Sequence, residues 1–120
     1  MTNKNNSKKN IYKICDRKEW EIAKEKGVFE GSGIDLTDGF IHFSTSEQVQ
    51  ETSRLHFNGV KNLLLIEVNT EKLDIKWELS RNNTLFPHLY DVMPLSHVVS
   101  VFELKLDNNN NHILPSKFYD

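Results

Sequence analysis

The segment DGFIHFSTSEQV places a histidine inside an apolar run and follows it with three hydroxyl side chains. Alternate residues of an extended strand share a face, so His42 and Ser44 should project together while Ile41 and Phe43 pack behind them. A face that carries imidazole and hydroxyl groups is typical of a ligand pocket. Helix capping is an alternative use for Ser44 and Thr45, since hydroxyls accept from free N–H groups at a helix start. Capping does not explain His42.

A second set of polar side chains follows in WELSR and FPHLY. Glu78 lies in a predicted strand, residues 75–79, and Arg81 lies in the polar loop after it. Either residue could simply be a solvated surface charge. His88 lies in an otherwise apolar stretch that ends at Tyr90. Buried polar groups need partners, so His88 must either satisfy a backbone carbonyl or face a ligand.

Metal binding and the common catalytic motifs have little support. Four histidines and one carboxylate could supply ligands: His42, His56, His88, His97 and Glu78. No pair of them has the H-E-x-x-H spacing, and a single cysteine excludes zinc-finger arrangements. The chain also lacks a nucleophile elbow, a G-x-x-x-x-G-K-[ST] loop and a G-x-G-x-x-G motif. We therefore expect no metal.

Composition predicts a globular protein and gives no support for a nucleic-acid or membrane partner. The chain has 120 residues and a net charge of −2, whereas a nucleic-acid groove normally needs a basic excess. Cys15 is the single cysteine, so no internal disulfide can form, and its apolar neighbourhood predicts a packed, inert thiol. The sequence shows no signal peptide and no stretch approaching the ~20 apolar residues of a membrane span. A cytoplasmic location without membrane or nucleic-acid partners is expected.

The order of elements predicts an α+β fold. Residues 1–10 are polar and should form a disordered tail, whereas residues 11–118 should form a single domain. Strands are predicted at residues 11–15, 40–44, 62–68, 75–79, 85–90 and 98–106, with a short edge at 113–115. One helix should follow Asp16 and end at Gly27, and another should begin at Ser44 or Thr45 and continue to about Phe57.

Individual positions within these elements carry further predictions. In the first helix, Trp20 and Ala23 should form the inner stripe. In the second, His56 should lie on the row that faces the sheet. Asp35 and Asp38 precede the strand that carries His42, and we expect them to shape a turn.

The segments IYKI, W-x-x-A, G-x-x-x-G-S, DGFIHFST-x-EQV and KWE-x-S-R-x-x-x-LFPHLY resemble a small bacterial family, domain of unknown function 952. The resemblance covers roughly residues 11–106. This family is in turn similar to the ADP-ribosyltransferase-like fold, a split, mainly antiparallel α+β structure whose cleft holds NAD. The resemblance therefore implies such a fold, with two helices in the N-terminal half of the chain.

The resemblance also implies roles for particular residues. Lys13 would match the basic residue on the first strand, Ser44 and Thr45 the hydroxyl motif, and Glu78 the catalytic glutamate. Two departures are that Lys13 stands where arginine or histidine is usual, and that Lys76 stands two residues before the acid, where glutamine or glutamate is frequent.

These roles imply a specific use of the cleft. Glu78 would stabilise positive charge on the ribose when its bond to nicotinamide breaks, and Lys76 would keep that carboxylate ionised. The other implied NAD contacts are a pyrophosphate set and an orienting set. They comprise Lys13, Arg81 and His88 for the pyrophosphate, and His42 and Ser44 for the ribose and the nicotinamide amide. Thr45 and Tyr90 are further implied cofactor contacts.

Three other functions remain open. The same pocket could belong to a non-enzymatic module that binds a phosphorylated small molecule. Relatives of the fold also remove phosphate from RNA with NAD as the acceptor, but the slight acidity of the chain disfavours this activity. A pure interaction protein is the least favoured, because it leaves the polar strand faces unexplained.

Overall fold

A computed structural model of the chain describes residues 10–119. The described part contains three helices, nine strands and three short 3-10 turns, and all strand pairs are antiparallel. In chain order the elements are β1 Ile11–Asp16, α1 Arg17–Lys26, β2 Val28–Phe29, α2 Ile34–Asp38, β3 Ile41–His42, α3 Val49–His56, β4 Leu63–Val68, β5 Ile75–Leu79, β6 Leu85–Leu89, β7 Met93–Pro94, β8 Val98–Leu106 and β9 His112–Ile113.

The largest sheet has the order β1-β4-β8-β9. Every residue of β4 is buried, because its apolar run LLLIEV lies between two strands and is covered on both faces. One face packs against a core that includes Trp20, Phe29 and Met93, and the other packs against Val49 and Leu114. The sheet therefore divides the molecule into two hydrophobic clusters.

A second sheet has the order β3-β6-β5 and carries most of the predicted chemistry. Its register places Ile41 opposite Leu89 and His42 directly opposite His88. Ile41 and Phe43 are buried in the core, so the alternate residues His42 and Ser44 are directed to the other side. Two segments 46 positions apart in the chain, counted from residue 42 to residue 88, thus present their histidines side by side.

The first predicted helix is confirmed together with both of its ends. The Asp16 carboxylate accepts from the Lys18 N–H at 2.9 Å, which caps α1 at its N-terminus. Gly27 ends the helix with φ 82°, a left-handed conformation that glycine adopts without strain. Trp20 and Ala23 are the buried residues of this helix, as its apolar stripe predicts.

The second predicted helix begins later than expected. The backbone of Ser44 pairs with that of Tyr12 through two 2.8 Å hydrogen bonds, so Ser44 continues the sheet and cannot cap a helix. Residues 45–48 form a turn, in which the Gln48 side chain accepts from the Thr45 N–H at 3.0 Å. Helix α3 then covers Val49–His56 and ends at Phe57.

The prediction of two helices in the N-terminal half is also incomplete, because the five-residue helix α2, Ile34–Asp38, forms where a turn was expected. The α+β class with antiparallel sheets is confirmed. The predicted tail falls almost wholly on residues 1–9, which lie outside the described residues. Within residues 10–119, no helix has the length and hydropathy needed to cross a membrane.

Candidate functional site

A cleft of about 920 Å³ opens between β1, α2, β3, α3 and the start of β6. The polar residues of DGFIHFSTSEQV and those of WELSR and FPHLY both contribute side chains to the wall of this cleft. Among the lining residues are Lys13, His42, Ser44, Thr52, Arg81 and His88. The volume lies within the ~300–1,000 Å³ usual for ligand sites.

A buried carboxylate organises one end of the cleft. Asp35 is 2% exposed, and its carboxylate accepts from the Lys13 ammonium at 2.7 Å and from His42 Nδ1 at 2.6 Å. It also accepts from the backbone N–H groups of His42 and Ser32, each at 3.0 Å. Burial alone would raise the pKa of Asp35, but the hydrogen bond from His42 and the charge of Lys13 outweigh it and hold the pKa below 3.8. Asp35 therefore remains ionised.

Both ring nitrogens of His42 face carboxylates. Nδ1 contacts Asp35, and Nε2 lies 3.0 Å from Oδ2 of Asp38, one turn further along α2. Because the ionised Asp35 carboxylate can only accept, Nδ1 of His42 is the donor in the contact with Asp35. Lys13, in addition to its ion pair, donates to the His42 carbonyl at 3.0 Å. We refer to Lys13, Asp35, Asp38 and His42 as the Asp35 cluster.

Phe40 joins the two histidines of the second sheet. Its ring stacks on His88 with centroids 4.3 Å apart and lies 4.5 Å from His42 and 4.9 Å from Tyr90. The imidazoles of His42 and His88 themselves meet edge to face at 5.3 Å. These contacts restrict the orientation of both imidazoles before any ligand binds.

Glu78 reaches the cleft through His88. Its Oε1 accepts from Nδ1 of His88 at 2.7 Å and from the Tyr90 hydroxyl at 2.8 Å. These two hydrogen bonds, with that of His88 the stronger influence, lower the pKa of Glu78 below 4.5. His88 is buried and lines the cleft, whereas Glu78 is partly exposed beside it. The carboxylate is thus ionised and fixed at the edge of the cleft.

Arg81 carries the positive charge at the other end of the cleft. Its Nη2 donates to the Thr52 hydroxyl and its Nη1 to His56 Nε2, both at 3.1 Å, while the guanidinium lies over the Phe86 ring at 4.8 Å. The Thr52 hydroxyl also shares a 3.1 Å hydrogen bond with Ser44. Within residues 10–119, none of these Arg81 contacts is to a carboxylate. The guanidinium is oriented in advance and can still accept an anion.

A family model described as protein of unknown function, DUF952, matches residues 14–101. The chain belongs to this family. The crystal structure of protein CC0527 from Caulobacter crescentus is similar to it, with 46% identity and a TM-score of 0.86 over 92% of this chain and 98% of that chain. The solution NMR structure of CC0527 shows 49% identity and a TM-score of 0.76 over 85% and 90% of the two chains. A comparison with curated proteins gave no match.

In this DUF952 chain, five of the eight predicted site residues line the cleft: Lys13, His42, Ser44, Arg81 and His88. Glu78 and Tyr90 join them through hydrogen bonds at its edge. Thr45 instead stabilises the turn before α3. His56 is exposed and faces Arg81, so its expected place against the sheet is wrong.

The sequence analysis did not predict that Asp35 and Asp38 belong to the site. Asp35 and Asp38 were expected to shape a turn, but their carboxylates hold Lys13 and His42. Their spacing of three residues, shortly before a histidine strand, is the only sequence signal for this role. Lys76 pairs with Asp74 at 3.3 Å and has only a minor effect on Glu78. Within the described part of the chain, no group of His, Cys, Asp or Glu is placed to hold a metal ion.

Proposed function

We propose that the cleft binds a phosphorylated nucleotide and that Arg81 is its main phosphate contact. The supporting observation is the guanidinium itself, which Thr52 and His56 orient and which, within residues 10–119, has no acidic partner among its contacts. Arginine's planar fork matches two phosphate oxygens at once, and a charge-assisted pair of this kind is among the stronger hydrogen-bond arrangements. NAD is the ligand that the ADP-ribosyltransferase resemblance implies.

The remainder of the cleft suits the sugar and base of such a ligand. The hydroxyls of Ser44 and Thr52 lie next to Arg81, where they can bind phosphate or ribose oxygens. The Asp35 cluster supplies charged acceptors and donors at the other end. Phe40, packed against both histidines, supports the wall between these two regions.

The proposal changes the role of Lys13. Its ammonium is buried and already neutralised by Asp35 at 2.7 Å. Releasing it toward a pyrophosphate would leave the Asp35 carboxylate buried without its cation, which is costly. Lys13 therefore serves to position His42, and the phosphate charge is assigned to Arg81.

A glycosyl reaction is a second proposal that depends on Glu78. Cleavage of the ribose–nicotinamide bond develops positive charge on the sugar, and an ionised carboxylate nearby stabilises it. Glu78 is favoured as that carboxylate because its pKa is lowered and because His88 and Tyr90 fix its orientation. Hydrolysis of NAD or ADP-ribosyl transfer would follow, according to whether water or another nucleophile attacks the ribose carbon.

A thermal-shift panel of NAD, ADP-ribose, AMP and sodium sulfate tests the binding proposal. A ligand that binds only the folded protein must raise its Tm. We expect ADP-ribose and NAD to raise the Tm of the wild type, and to raise that of Arg81→Gln clearly less at the same ligand concentration. Arg54→Gln is the matched control, because Arg54 lies on α3 and pairs at the surface with Glu51. A flat panel for the wild type would contradict the proposal.

Nicotinamide release from NAD tests the catalytic proposal separately. Wild-type protein should release nicotinamide, and Glu78→Gln should bind NAD while releasing at least about 100-fold less, as expected for lost electrostatic stabilisation. Binding of NAD without release by the wild type would instead favour the non-enzymatic module.

A further inference from the structure

Strand β5 has one hydrogen-bonding edge without a partner strand among the described residues. It lies at the end of the sheet β3-β6-β5, and within residues 10–119 it pairs only with β6. Trp77 lies opposite Pro87 on β6. Pro87 has no N–H group, and its carbonyl accepts from the Phe43 N–H at 3.0 Å, on the side of β6 away from β5. The backbone groups of Trp77 therefore point away from β6. Because bonding alternates along an antiparallel pair, those of Ile75 and Leu79 do the same.

The side chains along this edge are apolar and exposed. Trp77 is 46% exposed and Leu79 is 65% exposed, and Leu85, opposite Leu79 on β6, is 49% exposed. An unpaired strand edge with apolar side chains is a template for another strand. The chemistry of the edge thus favours a partner that supplies both backbone hydrogen bonds and apolar area.

The sequence of β5 is complementary to itself. If two copies pair antiparallel about a two-fold axis through Trp77, Lys76 of each lies directly opposite Glu78 of the other. The same register places Ile75 opposite Leu79 and the two Trp77 side chains together. Opposite charges and apolar pairs directly across an antiparallel ladder stabilise it, and a two-fold axis makes each contact twice.

We propose that β5 is the docking surface for a second copy of this chain. Edge-to-edge pairing joins two three-stranded sheets into one continuous six-stranded antiparallel sheet across the dimer. The partner subunit's Lys76 then approaches the carboxylate of Glu78, whose Oε1 is bound by His88 and Tyr90. The docking surface is independent of the nucleotide-binding proposal, although it adjoins the same cleft.

A competing edge exists on β8. This strand pairs with β9 only at Lys105 and Leu106, and its residues Val99 and Val101 are exposed. Self-pairing about Val101 would place Val99 opposite Glu103 and would match no opposite charges. The charge pattern therefore favours β5.

Sedimentation equilibrium of the wild type and two matched variants separates the two edges. Val101 is 45% exposed and Trp77 46%, so Val101→Lys and Trp77→Lys introduce the same charged side chain at nearly equal exposure. We expect the wild type and Val101→Lys to form dimers of the 14.0 kDa chain, and Trp77→Lys to remain monomeric. A monomeric wild type at millimolar concentration, or a dimer broken only by Val101→Lys, would overturn the proposal.

Charge reversal tests the register with a variant that leaves Trp77 intact. Lys76→Glu changes an exposed side chain and places a glutamate opposite Glu78 of the other copy at both symmetry-related positions. Like charges directly opposite destabilise the pairing, so the variant dimer should dissociate about tenfold more readily than the wild-type dimer. Mixing Lys76→Glu with Glu78→Lys restores opposite charges at both pairs and should recover a heterodimer. A Lys76→Glu dimer as tight as the wild type would overturn the proposed register.

Discussion

Glu78 on β5 and His88 on β6 are diagonal neighbours on one face of the sheet, joined by a 2.7 Å hydrogen bond. On the other side of β6, His42 lies directly opposite His88. One row of side chains thus crosses three strands and connects the buried Asp35 to the partly exposed Glu78. The register of the sheet, more than any local motif, brings these distant residues to one cleft.

The hydrogen bond between Tyr90 and Glu78 predicts a linked titration. The Glu78 carboxylate accepts a hydrogen bond from the Tyr90 hydroxyl and so stabilises the protonated form of Tyr90. This hydrogen bond is the main reason that the pKa of Tyr90 lies above 10.0. Glu78→Gln removes the charge and should return the Tyr90 pKa toward 10.0. Tyrosine ζ-carbon NMR titration measures this, with Tyr12, which bonds Glu67, as the internal reference. An unchanged Tyr90 pKa would contradict the observed contact.

Removing the charge of Asp35 should destabilise the protein strongly. Asp35→Asn leaves the Lys13 ammonium buried without its counter-charge, which costs about 3 kcal/mol of unfolding free energy at pH 7. Asp38→Asn is the matched control, because Asp38 contacts the same histidine from a partly exposed position. Its cost should stay below about 1 kcal/mol. Urea denaturation measures both, and equal costs would contradict the central position given to Asp35.

The pH dependence of that difference has a defined sign. The native pKa of Asp35 is lowered below 3.8, so its contribution is fully present above that pH and is lost as pH falls through the lowered value. The stability gap between the wild type and Asp35→Asn should therefore be present at pH 5 and shrink as the pH falls below about 3.8. A gap that widens on acidification would contradict the ion pair with Lys13.

Cys15 should be chemically inert in the folded protein. The thiol is buried in the core beside β4, and burial raises its pKa to about 12. Reactivity requires the thiolate, so a disulfide reagent at pH 8 should label no thiol in the native protein and one per chain in denaturant. Rapid labelling of the native protein would show that the core around Cys15 opens readily.

The sequence predicts best those elements whose signals are local. β5 and β8 have the predicted bounds, and β4 begins one residue later than predicted, because apolar runs and alternation specify strands directly. Capping residues likewise located both ends of α1. The start of α3 was wrong because Ser44 is held by the backbone of Tyr12, a contact that the local sequence does not reveal.

The sequence predicted which residues belong to the site better than it predicted the contacts between them. His42 and His88 were conspicuous as polar residues in apolar runs, but their juxtaposition depends on the pairing of β3 with β6. The role of Asp35 in the site was missed for a similar reason, because its partners, Lys13 and His42, lie on other elements. His56 is exposed at the end of α3, where it contacts Arg81 of a distant loop. The apolar periodicity of the helix does not predict this contact.

Calorimetric titration of ADP-ribose into the wild type and Arg81→Gln tests the nucleotide cleft most directly. ADP-ribose carries the diphosphate and both riboses without the reactive nicotinamide bond, so binding is measured without turnover. The wild type should bind one ADP-ribose per chain, and Arg81→Gln should bind it at least about tenfold more weakly, as expected for loss of a charge-assisted contact. No binding by the wild type, or equal affinity in the two proteins, would contradict the account.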